Sequence, residues 1–407
     1  MFRDFRLERF RNVAHFEEKE PFVAPESSVG HEDRIGIIGA SGAIGSMLVG
    51  ELAALGFRDI VLFSRELQRA CDAVNRHRSE NACQSVCFLA RPLDVLAEDT
   101  RAVAEKIADC AIVIHAAAPS WRTSAPSAQA ARCAGAHYID LGGFEMLMTE
   151  MQNWDLGEFA KNRAFIGSAG LMPGLSELFA RFVADWAERS GAEICRVDIA
   201  CGAQEAWSDG SVEDILWHLD HHRDSGWHDK GVWKRTSILR AIRKLPVSSP
   251  LGDGLSFAIP NPQLAAWSAR RPVLRITTWM GLLGARTIFA IVVARILIRL
   301  NHDWALRRLK DALLRDCASY GRQATIEVMA SRAQGDIVCS GLFRERRSEW
   351  ITAGVVGLTA AFIADGRVRF GANYLADAVD HAEFIGALTR RGVAFDLRHS
   401  ITPSTTK

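Results

Sequence analysis

An apolar strand that runs into a glycine-rich turn and then a helix is the feature that most limits how this chain folds. Residues 34–39 (RIGIIG) form a short apolar run ending in glycine, and residues 43–55 have helical periodicity up to Gly56, a typical helix-ending residue. The turn between them, residues 39–45, reads GASGAIG, with glycines at three-residue intervals. This order of elements predicts the start of a parallel sheet.

Predicted strands and helices then alternate along the first half of the chain. The further strands are residues 59–63, 86–90, 110–115, 137–141 and 164–168, and the helices between them are residues 65–77, 96–108, 124–134 and 144–161. Such alternation predicts an α/β fold with a doubly wound, parallel Rossmann sheet. Because crossovers of this kind are right-handed, we expect ligand at the carboxyl ends of the strands.

The second half predicts strands without regular helical crossovers, at residues 193–202, 273–278, 324–330 and 336–342, followed by closing helices at 349–363 and 374–391. This pattern indicates a second, α+β domain with a mixed or antiparallel sheet. The expected organisation is a short helix or arm as an N-terminal extension (1–33), the Rossmann domain (34–180), a substrate and dimerisation domain (181–348), and C-terminal helices that pack back on the Rossmann domain (349–407).

Composition excludes several classes of protein. A length of 407 residues exceeds what one core usually serves, so two domains are expected. A net charge of +1 argues against a nucleic-acid partner. The nine cysteines contain no CxxC pair and no zinc spacing, so we expect reduced thiols and no metal. The first residues lack the apolar core of a signal peptide, and the apolar stretch 287–300 is too short for a membrane span, which favours a cytoplasmic enzyme.

The glycine turn has the chemistry of a dinucleotide site. Gly39 allows the tight turn, Gly42 lets backbone amides approach a pyrophosphate, and Gly45 lets helix and strand pack closely. The phosphate then meets the positive end of the helix dipole. The remaining turn residues predicted to line the cofactor are Ser41, Ala43 and Ile44. The alternative is a glycine-rich turn that holds no cofactor.

The end of the second strand favours NADP(H). An NAD enzyme usually places an acid about 20 residues beyond the glycine turn, where it binds the ribose hydroxyls. Here the strand ends Phe63-Ser64-Arg65. The Ser64 hydroxyl and the Arg65 guanidinium both suit a 2′-phosphate. Glu66 follows, but a carboxylate at a helix start more often compensates the helix dipole.

A family resemblance rests on five segments in order: GIIGASGAIG, VLFSRE, VIHAAAPSW, AGAHYIDLGGF and SAGLMPGLSELFA, all within residues 34–180. Through them the chain resembles the saccharopine dehydrogenase-like reductases. The C-terminal GRVRFGANYLADAVDHAEFIGALTRRGV is similar to the family's closing helix. The resemblance covers about half of the chain, and residues 203–320 contribute little to it.

The resemblance implies roles for three segments. The turn after the fourth strand is expected to lie against the cofactor near its nicotinamide ribose, and it consists of Ala116, Ala117, Ala118 and Pro119. Asp140 is expected at the floor of the cleft. The loop Met172-Pro173-Gly174 is expected to border the nicotinamide.

One departure from the family concerns His115, which stands where the family commonly has asparagine or another small polar residue. An imidazole beside the cofactor is able to donate a proton during catalysis. Alternatively, it is a histidine packed at a strand end that only forms hydrogen bonds. Geometry decides between these two interpretations before its pKa does.

The resemblance implies hydride transfer between a nicotinamide and a carbon–nitrogen bond, with a protein group that protonates the nitrogen. The candidate acids are His115, His137, Tyr138, Asp140, His218, His221 and His222. Residues 218 and 222 share a helical face, but no third ligand accompanies them, so a metal is not expected there.

Six tryptophans between 207 and 279 either pack in the core or form a wall for a flat substrate; they are Trp207, Trp217, Trp227, Trp233, Trp267 and Trp279. Such a substrate would suit the thiazoline reductases of siderophore assembly lines, some of which resemble this family. A saccharopine or opine substrate would instead need arginines for its carboxylates, and Arg235, Arg240, Arg270, Arg271 and Arg275 are available.

Three functions remain open. The first is an NADPH-dependent imine reductase, with a thiazolinyl imine of siderophore biosynthesis as one candidate substrate, either free or held on a carrier protein. The second is a saccharopine- or opine-type amino-acid dehydrogenase. The third is a non-catalytic NADP-binding scaffold or sensor. In each case the expected assembly is a homodimer with no nucleic-acid or membrane partner.

Overall fold

The computed structural model describes residues 5–9, 30–80, 83–142, 145–154, 159–221, 224–244, 255–271, 274–281 and 283–400. The chain divides into two compact units. One unit comprises Glu17–Leu175 and Glu349–Phe384, and the other comprises Met1–Phe16, Ser176–Ser348 and Ile385–Lys407. We refer to them as the nucleotide unit and the mixed-sheet unit.

The described residues form seventeen strands. In chain order they are β1 (Phe5–Arg9), β2 (Ile35–Ile38), β3 (Asp59–Ser64), β4 (Cys87–Pro92), β5 (Ile112–His115), β6 (His137–Asp140), β7 (Ala164–Gly167), β8 (Arg196–Gln204), β9 (Ser225–Asp229), β10 (Val232–Thr236), β11 (Ile242–Lys244), β12 (Leu255–Ile259), β13 (Arg275–Met280), β14 (Gln323–Ser331), β15 (Ile337–Glu345), β16 (Gly371–Tyr374) and β17 (Phe395–Ser400).

The helices of the same residues are α1 (Ala43–Ala54), α2 (Leu67–Arg78), α3 (Thr100–Ile107), α4 (Ser120–Ala134), α5 (Glu145–Asn153), α6 (Phe159–Asn162), α7 (Leu175–Arg189), α8 (Asp209–His221), α9 (Ile238–Ala241), α10 (Ala265–Arg270), α11 (Ala285–Leu297), α12 (His302–Tyr320), α13 (Ser348–Ala364), α14 (Leu375–Ala378) and α15 (His381–Arg390). A 3₁₀ helix covers Pro262–Leu264. Among these helices, none is both long and apolar enough to cross a bilayer.

The nucleotide unit is built on a seven-stranded sheet in the order β16-β7-β6-β5-β2-β3-β4, and its strands all run parallel. The central strands β2, β5, β6 and β7 are buried along their whole length. They read as short apolar runs because both faces of a parallel sheet are covered. The predicted doubly wound parallel sheet is confirmed.

The mixed-sheet unit contains a ten-stranded sheet whose main path is β1-β17-β15-β14-β8-β13-β12-β11, with β9 and β10 attached beside β13. Only the pair β8–β13 runs parallel. Helices α8, α11 and α12 share an apolar cluster that includes Leu216, Ile291 and Leu309. The predicted α+β domain with a mixed sheet is therefore confirmed.

The described part of the predicted N-terminal helix or arm, Phe5–Arg9, is a strand that pairs antiparallel with β17. Two predictions near the other end of the chain are wrong. The predicted helix 374–391 is interrupted, because Val379 is extended and the Asp380 side chain accepts from the Glu383 amide to start α15. The segment 349–407, expected to consist of helices, also contains a strand, because Phe395–Ser400 joins the ten-stranded sheet with Leu397 buried.

The predicted helix 144–161 is likewise shorter than expected. Its described parts are two helices, α5 and α6, and residues 155–158 between them lie outside the described residues. Helix α3 also begins later than predicted, because the Asp99 side chain accepts a hydrogen bond from the Ala102 amide and caps it.

Candidate functional site

The glycine turn between β2 and α1 gives each glycine a different surrounding. Gly39 has φ +86, and a Cβ there would lie 2.7 Å from the backbone nitrogen of Ala117. A Cβ on Gly45 would collide with the Gly39 carbonyl and lie 2.8 Å from Cα of Ala40. A Cβ on Gly42 would meet only the Gly39 oxygen, at 3.3 Å, and otherwise open space. Gly39 and Gly45 are therefore needed by the fold, whereas Gly42 leaves room for a ligand.

The start of helix α1 offers this open space a set of backbone donors. Ser41, Gly42 and Ala43 are exposed, while Ile44 is half-buried. Gly42 is the N-cap residue of α1 and has no side chain to cap the helix, and the first turn of α1 contains no acidic side chain. Because uncapped N–H groups and the helix dipole both favour an anion, this cradle fits the pyrophosphate of a dinucleotide.

Ser64 and Arg65 lie at the carboxyl end of β3, beside the glycine turn. The Ser64 hydroxyl is 3.3 Å from that of Ser41. Arg65 is exposed, and within the described residues it forms no hydrogen bond or ion pair. Glu66 is paired with Arg69 at 3.1 Å instead of pointing to a ribose. A hydroxyl and an uncompensated guanidinium at this place fit a 2′-phosphate.

Arg65→Ala is expected to weaken NADPH binding by about 1–3 kcal/mol and to leave NADH binding unchanged, because the lost charge-assisted bonds involve only the 2′-phosphate. Fluorescence titration of both cofactors measures the effect. The matched control is Arg69→Ala, which removes a guanidinium one helical turn away that is already paired with Glu66. Equal affinity of the unmodified protein for NADPH and NADH would contradict the assignment.

The alanine turn, Ala116–Pro119, follows β5 and lies directly against the glycine turn. The Ala116 amide donates to the Ile38 carbonyl at 2.8 Å, and the Ala116–Ala117 backbone is the surface that a Gly39 Cβ would strike. Ala118 is exposed and Ala117 is half-buried. The small side chains of these alanines leave the edge of the proposed pyrophosphate site at Gly42 open.

A buried polar network lies beneath the alanine turn and joins β5 to β6. Nδ1 of His115 is 3.0 Å from Oδ2 of Asp140, and the Tyr138 hydroxyl donates to the same oxygen at 2.6 Å. The other oxygen, Oδ1, accepts from the Gly142 amide at 2.9 Å. His115 is 1% exposed and Asp140 is 0% exposed. Each carboxylate oxygen therefore has a partner within the protein.

The first turns of α4 complete this network. Nε2 of His115 lies 3.0 Å from the Thr123 hydroxyl, and the Ser124 hydroxyl is 3.4 Å from Nδ1. The Thr123 hydroxyl also lies 3.0 Å from the Pro119 carbonyl and 3.3 Å from the Ala117 carbonyl. The network is thereby linked to the alanine turn. The sequence gives no signal for Thr123 and Ser124, because they stand within an alanine-rich helix.

This geometry favours the second interpretation of His115, a packed histidine. Both ring nitrogens are engaged inside the protein, and the ring is buried. Tyr138 is buried as well. Its burial, reinforced by the neighbouring Asp140, raises the pKa of its hydroxyl well above the usual range. A phenol whose pKa is raised holds its proton more tightly. His115, Tyr138 and Asp140 thus form one unit that fixes the strand ends.

The loop with Met172 and Pro173 follows β7 and reaches the same edge of the sheet. The Ala169 amide donates to the Asp140 carbonyl at 2.9 Å, and the Gly170 amide donates to the Pro173 carbonyl at 3.2 Å. Met172 and Pro173 are half-buried. The glycine turn, alanine turn, Asp140 and this loop therefore follow adjacent parallel strands, as the register of β2, β5, β6 and β7 requires.

His137 lies at the opposite end of β6 from Asp140, away from the predicted site. Its Nδ1 accepts from the Ala164 amide at 3.1 Å. Burial, with a smaller contribution from the Arg163 guanidinium, lowers its pKa to about 4. The neutral imidazole is thus an acceptor that pairs β6 with β7, and its placement argues against a role as general acid.

The lowered pKa of His137 predicts a loss of stability in acid. Between its unperturbed pKa of 6.5 and the folded value of about 4, the unfolded chain binds a proton that the folded chain does not. The free energy of unfolding therefore decreases as pH falls through this window, by up to about 3 kcal/mol. Urea denaturation at about pH 7, 5.5 and 4.5 checks this. His137→Gln, which keeps an acceptor, is expected to flatten the profile, and an unchanged profile would refute the attribution.

The other histidines and arginines that were predicted as candidate site residues belong to the mixed-sheet unit. Nδ1 of His221 lies 2.8 Å from the Trp217 carbonyl on its own helix, His218 is half-buried on the same helix, and His222 lies outside the described residues. Arg235 pairs with Asp224, and Arg271 pairs with Asp185 and Glu188. Arg240 and Arg270 are exposed.

Arg275 differs from these arginines. Its guanidinium lies 3.9 Å from the centroid of the Trp227 ring, and its Nε is buried without a hydrogen-bond partner among the described residues. Burial and the nearby Arg196 lower its pKa. Of the other tryptophans, Trp267 and Trp279 are buried, Trp207 packs against the α8–α12 cluster, Trp217 stacks on His221, and Trp233 contacts His228. The core-packing interpretation is favoured for Trp207, Trp267 and Trp279.

The geometry of β2, α1 and β3 defines a nucleotide-binding unit of the dehydrogenase and reductase class, and comparison with known families agrees. Residues 35–164 match the model of the saccharopine dehydrogenase NADP binding domain. This segment is therefore similar to that domain family, and the match supports NADP(H) as the cofactor. No curated protein matches the sequence.

Several solved structures are similar at low sequence identity. GenD2 from gentamicin A biosynthesis, in complex with NAD, is 13% identical over 90% of this chain and 96% of that chain, with a TM-score of 0.45. A myo-inositol dehydrogenase from Corynebacterium glutamicum is 13% identical over 92% of this chain and 100% of that chain, with a TM-score of 0.43. Pen from Bacillus thuringiensis is 16% identical over 27% of this chain and 37% of that chain, with a TM-score of 0.23. At such TM-scores the similarities say nothing about substrate.

Proposed function

We propose that this protein is an NADPH-dependent oxidoreductase that reduces a carbon–nitrogen double bond. One observation supports NADPH as the cofactor. Arg65 is exposed beside Ser64, it forms no ion pair with a described residue, and it lies close to the open space at Gly42. The carbon–nitrogen half of the proposal rests on the reaction of saccharopine dehydrogenases, whose NADP binding domain residues 35–164 match. NADPH, when bound, supplies the hydride.

The chain's own residues have separate tasks in this proposal. Gly42 and the amides at the start of α1 bind the pyrophosphate, while Ser64 and Arg65 bind the 2′-phosphate. The His115–Asp140–Tyr138 network is a positioning device, because it connects the ends of β5 and β6 to the alanine turn through Thr123. A fixed turn beside the nicotinamide would hold the hydride donor in a reactive orientation.

The substrate is proposed to be a cyclic or heterocyclic imine, with a thiazolinyl imine of siderophore biosynthesis as one candidate. A second function is favoured by a specific observation at Arg275. A half-buried guanidinium stacked on Trp227, with no ion pair to a described residue, suits a carboxylate on a planar substrate. Arg275 thereby supports the amino-acid dehydrogenase, whose saccharopine or opine substrates carry carboxylates.

A panel of substrates separates these functions. NADPH consumption, measured by absorbance, is expected with cyclic imines and thiazolines and not with ketones of similar shape. Faster turnover with an amino acid and a 2-oxo acid together would instead favour the amino-acid dehydrogenase. Tight NADPH binding without turnover of any carbon–nitrogen substrate would favour the non-catalytic scaffold and would refute the proposed reduction.

A further inference from the structure

Three metal-ligating side chains converge at the end of helix α2, outside the residues discussed so far. His77, Glu80 and Cys83 each offer one ligand atom, and these atoms all lie within 4.8 Å of one another. His77 is 2% exposed and Cys83 is 1% exposed. The Glu80 side chain is 45% exposed, so it forms the solvent side of the cluster. An ion therefore has an entry path from solvent at Glu80.

Two distances within the cluster are close to those of a four-coordinate site. Nδ1 of His77 is 3.2 Å from Oε1 of Glu80, and Sγ of Cys83 is 3.9 Å from Oε2. A tetrahedral zinc ion with ordinary bond lengths would separate an imidazole nitrogen from a carboxylate oxygen by about 3.4 Å, and a thiolate sulfur from a carboxylate oxygen by about 3.6 Å. Nδ1 of His77 and Sγ of Cys83 lie within 4.8 Å of each other, so the three side chains would close around an ion by small rotations.

The hydrogen bonds around His77 prepare Nδ1 for an ion. Nδ1 is buried, and its approach to Glu80 lacks hydrogen-bond geometry. The other nitrogen, Nε2, lies 3.3 Å from the Ser46 hydroxyl on α1. Histidine ligands of metals usually donate their second N–H to such a partner, which fixes the ring orientation and leaves the first nitrogen as the ligand.

Cys83 supplies the third ligand of the cluster. Its side chain is buried, and Sγ lies 3.9 Å from Oε2 of the Glu80 carboxylate. Cysteine binds zinc as a thiolate, and a divalent cation in contact with both groups would offset their negative charges. The same cation would lie between Nδ1 of His77 and Oε1 of Glu80, which are 3.2 Å apart.

We propose that His77, Glu80 and Cys83 bind a zinc-class divalent cation, with water as the fourth ligand. The mixture of imidazole, carboxylate and thiolate ligands favours Zn²⁺ over the oxygen-seeking Mg²⁺ and Ca²⁺. The order H-x₂-E-x₂-C is not a familiar zinc spacing, which explains why the cysteine pattern alone predicts no metal. The site is separate from the glycine turn and does not depend on the proposed reaction.

Cobalt serves as the spectroscopic probe. Titration of the metal-free full-length protein with Co²⁺ is expected to give one equivalent of tetrahedral visible bands and a near-ultraviolet band from cobalt–thiolate charge transfer. Cys83→Ser should abolish the charge-transfer band, and Glu80→Gln, at an exposed position that tolerates the change, should weaken Co²⁺ binding by more than about 100-fold. The matched control is Cys87→Ser, which removes an exposed cysteine four residues away and should leave the spectrum unchanged.

Two results would overturn the proposal. One is the absence of a charge-transfer band in the unmodified protein, and the other is a band that persists in Cys83→Ser. Thermal unfolding provides a readout that does not depend on the probe. Zn²⁺ should raise the melting temperature of the unmodified protein and of Cys87→Ser, and it should not raise that of Glu80→Gln. An equal increase in all three proteins would show an adventitious ion only.

Discussion

Gly42→Val is expected to abolish NADPH binding, by more than about 100-fold in affinity, while the protein remains folded. Gly42 lies at the start of α1 with φ −74, a conformation that any residue adopts, and a Cβ there meets only the Gly39 oxygen. The valine side chain would therefore occupy the open cradle instead of colliding with the protein. Cofactor titration and urea denaturation of the same sample measure the two effects separately.

Gly45→Ala is the matched control, because it adds a smaller group in the same turn. Its Cβ would collide with the Gly39 carbonyl and lie 2.8 Å from Cα of Ala40, so the helix must move away from the strand. We expect a loss of about 1–3 kcal/mol in the free energy of unfolding. If Gly42→Val in its folded state retained tight NADPH binding, the phosphates would have to bind elsewhere.

His115→Ala is expected to reduce the free energy of unfolding by about 2–4 kcal/mol, because it leaves the buried carboxylate of Asp140 without one of its partners. Oδ2 of Asp140 would then lose its contact with Nδ1 of His115 and keep the hydrogen bond from Tyr138. Tyr138→Phe, which removes that single hydroxyl, should cost about 1–2 kcal/mol. Chemical denaturation at neutral pH compares the two variants with the unmodified protein.

The kinetic consequence separates positioning from proton transfer. The loss of stability follows from the buried network whichever role His115 has. If His115 donated the proton itself, His115→Ala would lower turnover by about 10²–10⁴-fold, and the pH profile would lose an ionisation. In a positioning role, the shape of the pH profile is retained. His115→Gln, which keeps a donor and an acceptor, should then recover part of both stability and turnover. A pH profile that lost its alkaline limb would reverse our interpretation, because a proton donor must be protonated to act.

Local sequence patterns were sufficient to predict much of the secondary structure of the nucleotide unit. β2, β3 and β7 are apolar runs that end at or just before a glycine or a small polar residue, and both signals act within a few residues. Gly56 ends α1 as expected, with φ +100. The glycine turn and Ser64–Arg65 were predictable for the same reason, because their chemistry depends on neighbours in sequence.

Long-range pairing explains what the sequence did not reveal. β16, with the sequence GANY, has little intrinsic preference for a strand and forms one because it pairs with β7, about two hundred residues earlier. β1 and β17 are strands for a similar reason, since they pair with each other from opposite ends of the chain. The state of His115 depends on Asp140 from β6 and Thr123 from α4, so its surroundings could not be deduced from its position alone.

Direct detection of the transferred hydride tests the central claim most sharply. The protein would be incubated with NADPH that carries deuterium on one face of the nicotinamide C4, and in a second reaction on the other face, together with the best cyclic imine of the panel. Mass spectrometry of the amine product is expected to show one deuterium on the former imine carbon from only one of the two cofactors. Product without deuterium from either cofactor, or NADPH that remains unoxidised while it stays tightly bound, would contradict the account.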